Sequence, residues 1–203
     1  MLDLFLKGGI LMYPILLCSV LVMAVFCERM IRYAAVRRRG EDIEIKVAEL
    51  MKKGDEETAL KVSRESNSHM GRVLEKAIKA KDLENEVLES VIVNATENEV
   101  RDLSAYLQTL ATIGNIAPLL GLLGTIMGMI KAFMVIQEMG GKVNSAVLAG
   151  GIWEAMLTTA AGLFVALPTM AAHSYLLSRV DRYEARLQNG SVLFLKAIAK
   201  KAA

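Results

Sequence analysis

One carboxylate stands in an apolar stretch long enough to cross a bilayer. Glu154 is the only charged residue between Lys142 and Arg179, and Thr158 and Thr159 follow one helical turn beyond it. A carboxylate inside a membrane span is a functional-site hypothesis by default, because placing charge there is costly. On a helix, Glu154, Thr158, Ala161 and Val165 share a face, with Thr159 and Gly162 on its shoulder. In a helix starting near Ala146 the acid lies about 12 Å inside, past the headgroups, where it can take up and release protons. Two structural readings compete: the carboxylate snorkels to the outer interface, or it only accepts a hydrogen bond from a neighbouring helix. Thr125 offers another hydroxyl, on a stretch where Ala117, Gly121, Thr125 and Gly128 recur every three or four residues. Gly124 completes a Gly124-x-x-x-Gly128 motif on that stretch, and a face so stripped of bulk lets helix backbones approach closely. Packing alone would also explain such a face.

The elements that position these residues follow from composition. The chain has 203 residues, 54% of them apolar and only 5% aromatic, with a mean hydropathy of +0.38. Three runs carry the signal: Gly8 to Cys27, Leu103 to Ile130, and the run around Glu154. Each can supply the ~20 helical residues that a hydrocarbon core requires. The expected fold is an all-α integral membrane protein with three transmembrane helices. Its segments are a short N-terminus with the first span (1–27), a polar helical segment (28–102), the second span (103–136), a short link (137–145), the third span (146–178) and a C-terminal helix (179–203). The first run is expected to stay as an anchor, since Asp3 accompanies Lys7 and no small-x-small site precedes Glu28-Arg29.

Cations set the orientation. Of the 24 Lys and Arg residues, fifteen lie between Glu28 and Asp102 and six after Ser178. The N-terminus is therefore expected outside and both polar segments in the cytoplasm. Seventeen acidic residues accompany those fifteen cations and the net charge is only +2, which argues against a nucleic-acid partner. Arg29, Arg32, Arg37, Arg38 and Arg39 are expected to meet anionic lipid headgroups.

Within the polar segment, Glu41 to Lys53 should end at Gly54, Asp55 should cap Glu56 to Glu65, and Asn67-Ser68 should break the chain before a helix near His69. From Leu83 to Asn85 onward no Gly or Pro intervenes before Gly114, which predicts one helix running directly into the second span. The third span likewise should project into the cytoplasm. Such extensions need cover for their apolar stripes, which oligomerisation supplies most simply.

Catalysis is not indicated. His69 and His173 are isolated, no His/Cys/carboxylate set has metal spacing, and Gly124-x-x-x-Gly128 lacks the lysine of a phosphate loop. No cofactor is expected. Cys18 and Cys27 read as small packing residues, Pro168 as a helix kink, and His173 as the histidine to test for proton exit. A solute transporter is disfavoured by the absence of inverted repeats. A membrane scaffold without ion conduction remains the more distant alternative.

The runs Leu110-Ala-Thr-Ile-Gly-Asn-Ile-Ala-Pro-Leu-Leu-Gly-Leu-Leu-Gly-Thr-Ile-Met-Gly-Met-Ile130 and Leu148-Ala-Gly-Gly-Ile-Trp-Glu-Ala-Met-Leu-Thr-Thr-Ala-Ala-Gly-Leu163 resemble the MotA/TolQ/ExbB proton-channel family, ExbB and TolQ best. The resemblance implies a multi-pass subunit of a bacterial inner-membrane motor. Five copies would ring a pair of ExbD/TolR-type single-span helices, and proton flow would work a TonB- or TolA-like transducer. The partner's aspartate would carry the proton, while Thr125, Glu154 and Thr159 would line its path. Thr158 stands where some relatives have a small apolar residue. Ala117, Gly121, Gly124, Gly128 and Gly162 would pack helices. The Gly8-Gly-Ile-Leu-Met-Tyr-Pro-Ile-Leu-Leu-Cys18 opening leans towards ExbB over the TolQ-type or gliding motors. Threonines and carboxylates serve sodium as well as protons, and family weight favours protons.

Overall fold

The computed structural model describes residues 9–39, 42–139 and 145–202. Among them lie seven helices and no strand: α1 (Met12–Arg39), α2 (Ile43–Lys53), α3 (Glu56–Glu65), α4 (His69–Lys79), α5 (Asn85–Ser104), α6 (Leu107–Glu138) and α7 (Ser145–Ala202). Three are long and apolar enough to cross a membrane: α1 over Met12–Ala34, α6 throughout, and α7 within Leu148–Ala199. The protein is thus an all-α, three-span membrane protein. At 1.5 Å per residue the 58 residues of α7 extend about 87 Å, far beyond a bilayer core of about 30 Å.

The chain divides into two compact units. The membrane unit comprises residues up to Cys27 and Tyr106–Tyr175; the polar unit comprises Glu28–Ala105 and Leu176–Ala203.

Local chemistry explains the short helices of the polar unit. Gly54 takes φ 82°, a left-handed conformation that suits glycine, and its N–H returns to the carbonyls of Leu50 and Met51 to close α2. The Asp55 carboxylate accepts from the Thr58 N–H at 3.1 Å, and the Ser68 hydroxyl from the Gly71 N–H at 3.0 Å, capping α3 and α4. These helices close over a core that includes Val47, Leu74, Ile92, Leu187 and Phe194. A Cβ on Gly190 would lie 2.7 Å from Met70 Sδ, so the missing side chain lets α7 press against α4.

A buried ionic knot ties α4 to α5. Glu99 Oε2 lies 2.7 Å from His69 Nδ1, while Arg72 donates through Nε to both carboxylate oxygens at 3.0 and 2.9 Å. Burial pushes the Glu99 carboxyl up, but hydrogen bonds from His69 and Arg72, with their charges, outweigh it and hold the group at about 2. From α7, Tyr183 meets the His69 ring edge-on with centroids 5.8 Å apart.

Two expectations are corrected here. The helix predicted to run from Leu83 through the second span is broken at Ala105-Tyr106, where Tyr106 adopts φ 62°. Side chains of α1 serve the carbonyls exposed by that break: the Tyr33 hydroxyl donates to Leu103 O at 2.7 Å, and Arg29 Nη1 approaches the Asp102 and Leu103 carbonyls at 3.4 and 3.5 Å. Arg29 is consequently fully buried, paired with Glu28 at 2.7 Å, and does not reach lipid headgroups. The Glu28 carboxylate and the two carbonyls offset part of the cost of burying that guanidinium. Arg32 is partly exposed and lies 3.6 Å from Asp102. The side chains of Arg37, Arg38 and Arg39 fall outside the described part of the structure.

Candidate functional site

In the membrane unit α6 and α7 pack through their small residues. Ala117, Gly121, Gly124 and Gly128 are all buried on α6. A Cβ on Gly162 would lie 2.6 Å from the Ala117 carbonyl and 3.1 Å from Gly121 Cα, and one on Gly128 would lie 2.8 Å from Ala155 Cβ. Backbones that close leave no room for a side chain, as expected where association inside a membrane rests on van der Waals contact.

That packing places the threonines. Thr158 is 1% exposed and its methyl group fills the notch above Gly124; its hydroxyl donates to the Glu154 carbonyl at 2.8 Å. The Thr159 hydroxyl crosses between helices and donates to the Gly121 carbonyl at 2.8 Å. Thr125 is half-buried beside the packed face, and its hydroxyl donates back to Leu122 O at 2.7 Å. The sequence put Thr125 on the same face as the glycines; the structure gives the central contact to Gly124 instead, because Thr158 needs the space that only a glycine leaves.

Glu154 is not a lone charge. Lys131 Nζ, on α6, lies 3.3 Å from its Oε1, with the two side chains 58% and 31% exposed. The partners sit at matched depth: Lys131 is about 10 Å from the Glu138 end of α6, and Glu154 about 13 Å from the Ser145 start of α7. A third element closes on the carboxylate. Gly9 precedes α1 with φ 72°, and a Cβ there would overlap Glu154 Oε1. Lys131 and Gly9 were not among the residues that the sequence singled out, although the similar spacing of Lys131 and Glu154 from the two facing helix ends, seven and nine residues, is a signal that could have found Lys131. His173 is half-buried farther along α7, and Pro168 lies inside that helix without ending it.

A conserved-domain match decides the family: residues 65–189 fit the model of the MotA/TolQ/ExbB proton channel family. The chain belongs to that family. Individual members agree. The protein named ExbB-like 1 of Synechocystis sp. is 31% identical over 185 residues, covering 88% of this chain and 71% of its own. The biopolymer transport protein exbB1 of Vibrio cholerae is 45% identical over 83 residues, 41% of this chain and 36% of its own. ExbB of Neisseria gonorrhoeae is 40% identical over 92 residues, 45% and 41% of the two chains. The matches thus span less than half the length of the Vibrio and Neisseria relatives. Within the MotA/TolQ/ExbB match lie Thr125, Lys131, Glu154, Thr158 and Thr159, whereas Gly9 and Arg29 precede it.

Proposed function

We propose that this chain is a ring-forming subunit of an ExbB-type, proton-driven motor of the bacterial inner membrane. The observation that carries the reading is the Glu154 carboxylate held inside a membrane helix beside two threonines, in a chain of the MotA/TolQ/ExbB family. Five copies surround a pair of single-span partner helices of the ExbD/TolR type. Thr125, Glu154 and Thr159 line the path along which the partner's acid is charged and discharged, and Thr158 supports Glu154 from the next turn. A protonated acid crosses apolar wall at low cost, and a charged one seeks hydroxyls or water, so each protonation licenses a step. A proton crossing with the membrane potential releases about 2.3 kcal/mol per 100 mV, and several together do mechanical work on a TonB-like transducer for outer-membrane import.

Leu119, Leu122 and Phe133 on α6 and Phe164 and Leu167 on α7 are exposed, a surface that lipid and, in a ring, neighbouring copies would cover.

The test is Glu154→Gln and Thr159→Ala in the complex purified from its own membranes. Native mass spectrometry is expected to return five copies with two of a single-span partner in all variants. Proton uptake into vesicles should fall at least about tenfold in Glu154→Gln, the equivalent of ~1.4 kcal/mol. Wild-type uptake in both variants, or a ring without any partner, favours a scaffold and removes Glu154 from the path.

A further inference from the structure

Lys131 is a costly residue where it stands. Lys131 stands about 10 Å from the Glu138 end of a helix long and apolar enough to span a membrane, and an ammonium within such a helix is disfavoured unless it faces a polar space or pairs with an anion. Its partner is Glu154 Oε1 at 3.3 Å. Two helices and the turn before α1 converge on that one oxygen: Lys131 from α6, Glu154 from α7, and the bare Cα of Gly9. Gly9 excludes bulk from the carboxylate, so the ammonium keeps its approach.

We propose that Lys131 is the cation-selectivity residue of this site: its ammonium holds the position beside Glu154 Oε1 that a metal cation would have to occupy, so the carboxylate exchanges protons and excludes sodium. The inference rests on the reading of Glu154 as part of an ion path. Two physical points carry it. Sodium binding requires several oxygen ligands around a full positive charge, and a second positive charge at contact distance repels it most strongly where water is scarce. A proton needs no coordination sphere; it arrives along a hydrogen bond. The same threonine and carboxylate chemistry that serves either ion is thereby restricted to one.

The experiment reads Glu154 directly, so it stands apart from motor activity. The full-length complex in vesicles is treated with dicyclohexylcarbodiimide, which attacks protonated membrane carboxyls, and modification at Glu154 is followed by peptide mass spectrometry with and without sodium. Sodium should leave the wild-type rate unchanged. In Lys131→Met sodium should slow modification at least about tenfold by binding the vacated site, and Lys131→Arg should behave as wild type. Lys131→Gln provides an independent variant that removes the charge and keeps a polar side chain; it should confer the same sodium sensitivity. Should Lys131→Met fail to assemble, Lys131→Gln decides. Sodium protection already present in the wild type overturns the proposal, as does its absence from both Lys131→Met and Lys131→Gln. A wild type that passes no protons, with the sodium pattern as expected, overturns the motor reading alone.

Discussion

In the polar unit Leu74, Leu187 and Phe194 have no exposed surface, whereas in the membrane unit Leu119, Phe164 and Leu167 are 62, 79 and 66% exposed. Large apolar side chains fill the first interior and coat the second exterior. The difference follows from the solvent each unit meets. In water, burying apolar area drives folding, and the interior takes the bulky residues. In lipid that drive vanishes between helices, and the interior takes glycine, alanine and threonine because close backbone approach is what remains to be gained. Polar groups differ in the same way. The polar unit gathers His69, Arg72 and Glu99 into one knot, while the membrane unit, apart from the Lys131–Glu154 pair, spends its few hydroxyls on neighbouring carbonyls.

The sharpest way to break this comparison is to truncate one large side chain in each unit. Phe194→Ala should destabilise the protein by about 3–5 kcal/mol, read as a lower thermal midpoint in detergent, because it leaves a cavity in a sealed core. Leu119→Ala should leave that midpoint nearly unchanged, and an equal loss would remove the distinction.

Next in size is the knot. Glu99 is held at about 2 against a usual 4.5, which, discounted for the solvent that reaches its half-exposed Arg72 partner, amounts to about 2–3 kcal/mol. Since the folded value is the lower one, that stability is fully present above pH ~4.5 and disappears as pH falls towards about 2. Glu99→Gln should therefore lower the midpoint at pH 7 and flatten its decline between pH 5 and 3, measured by scanning fluorimetry across that range.

The smallest effect expected is Gly162→Ala, about 1–3 kcal/mol, because one methyl group would strike the Ala117 carbonyl. It should show as weakened α6–α7 association in a cross-linking assay between cysteines placed on the two helices, with the polar unit's midpoint unaltered.

Much of this architecture was legible in one dimension. Uncharged runs marked the three spans; Gly54 and Asp55 marked helix caps and Asn67-Ser68 the break before α4; and a three-to-four spacing of small residues marked a face of α6 open to close helix approach. Such features are local, since a helix end or an apolar stripe depends on residues within a turn or two. The break at Ala105-Tyr106 was not legible, because no glycine or proline announces it. Arg29 and Tyr33 make it tolerable from more than 70 residues away in sequence. Arg29 itself looked like one member of a surface cluster, and only its encounter with those carbonyls buries it.

The residues at the candidate site divide along the same line. The sequence by itself determined that an acid lies within a span, that threonines follow it one turn later, and that a bulk-free face stands ready on another helix, since helical period and hydropathy suffice for each. Only the tertiary structure decided that Thr158 fills the space over Gly124, that Thr159 bonds to Gly121 across 38 residues of chain, and that Lys131 pairs with Glu154 across 23. Those choices depend on how far two helices slide past each other before their small residues lock, a quantity set by contact between surfaces and carried by no single segment.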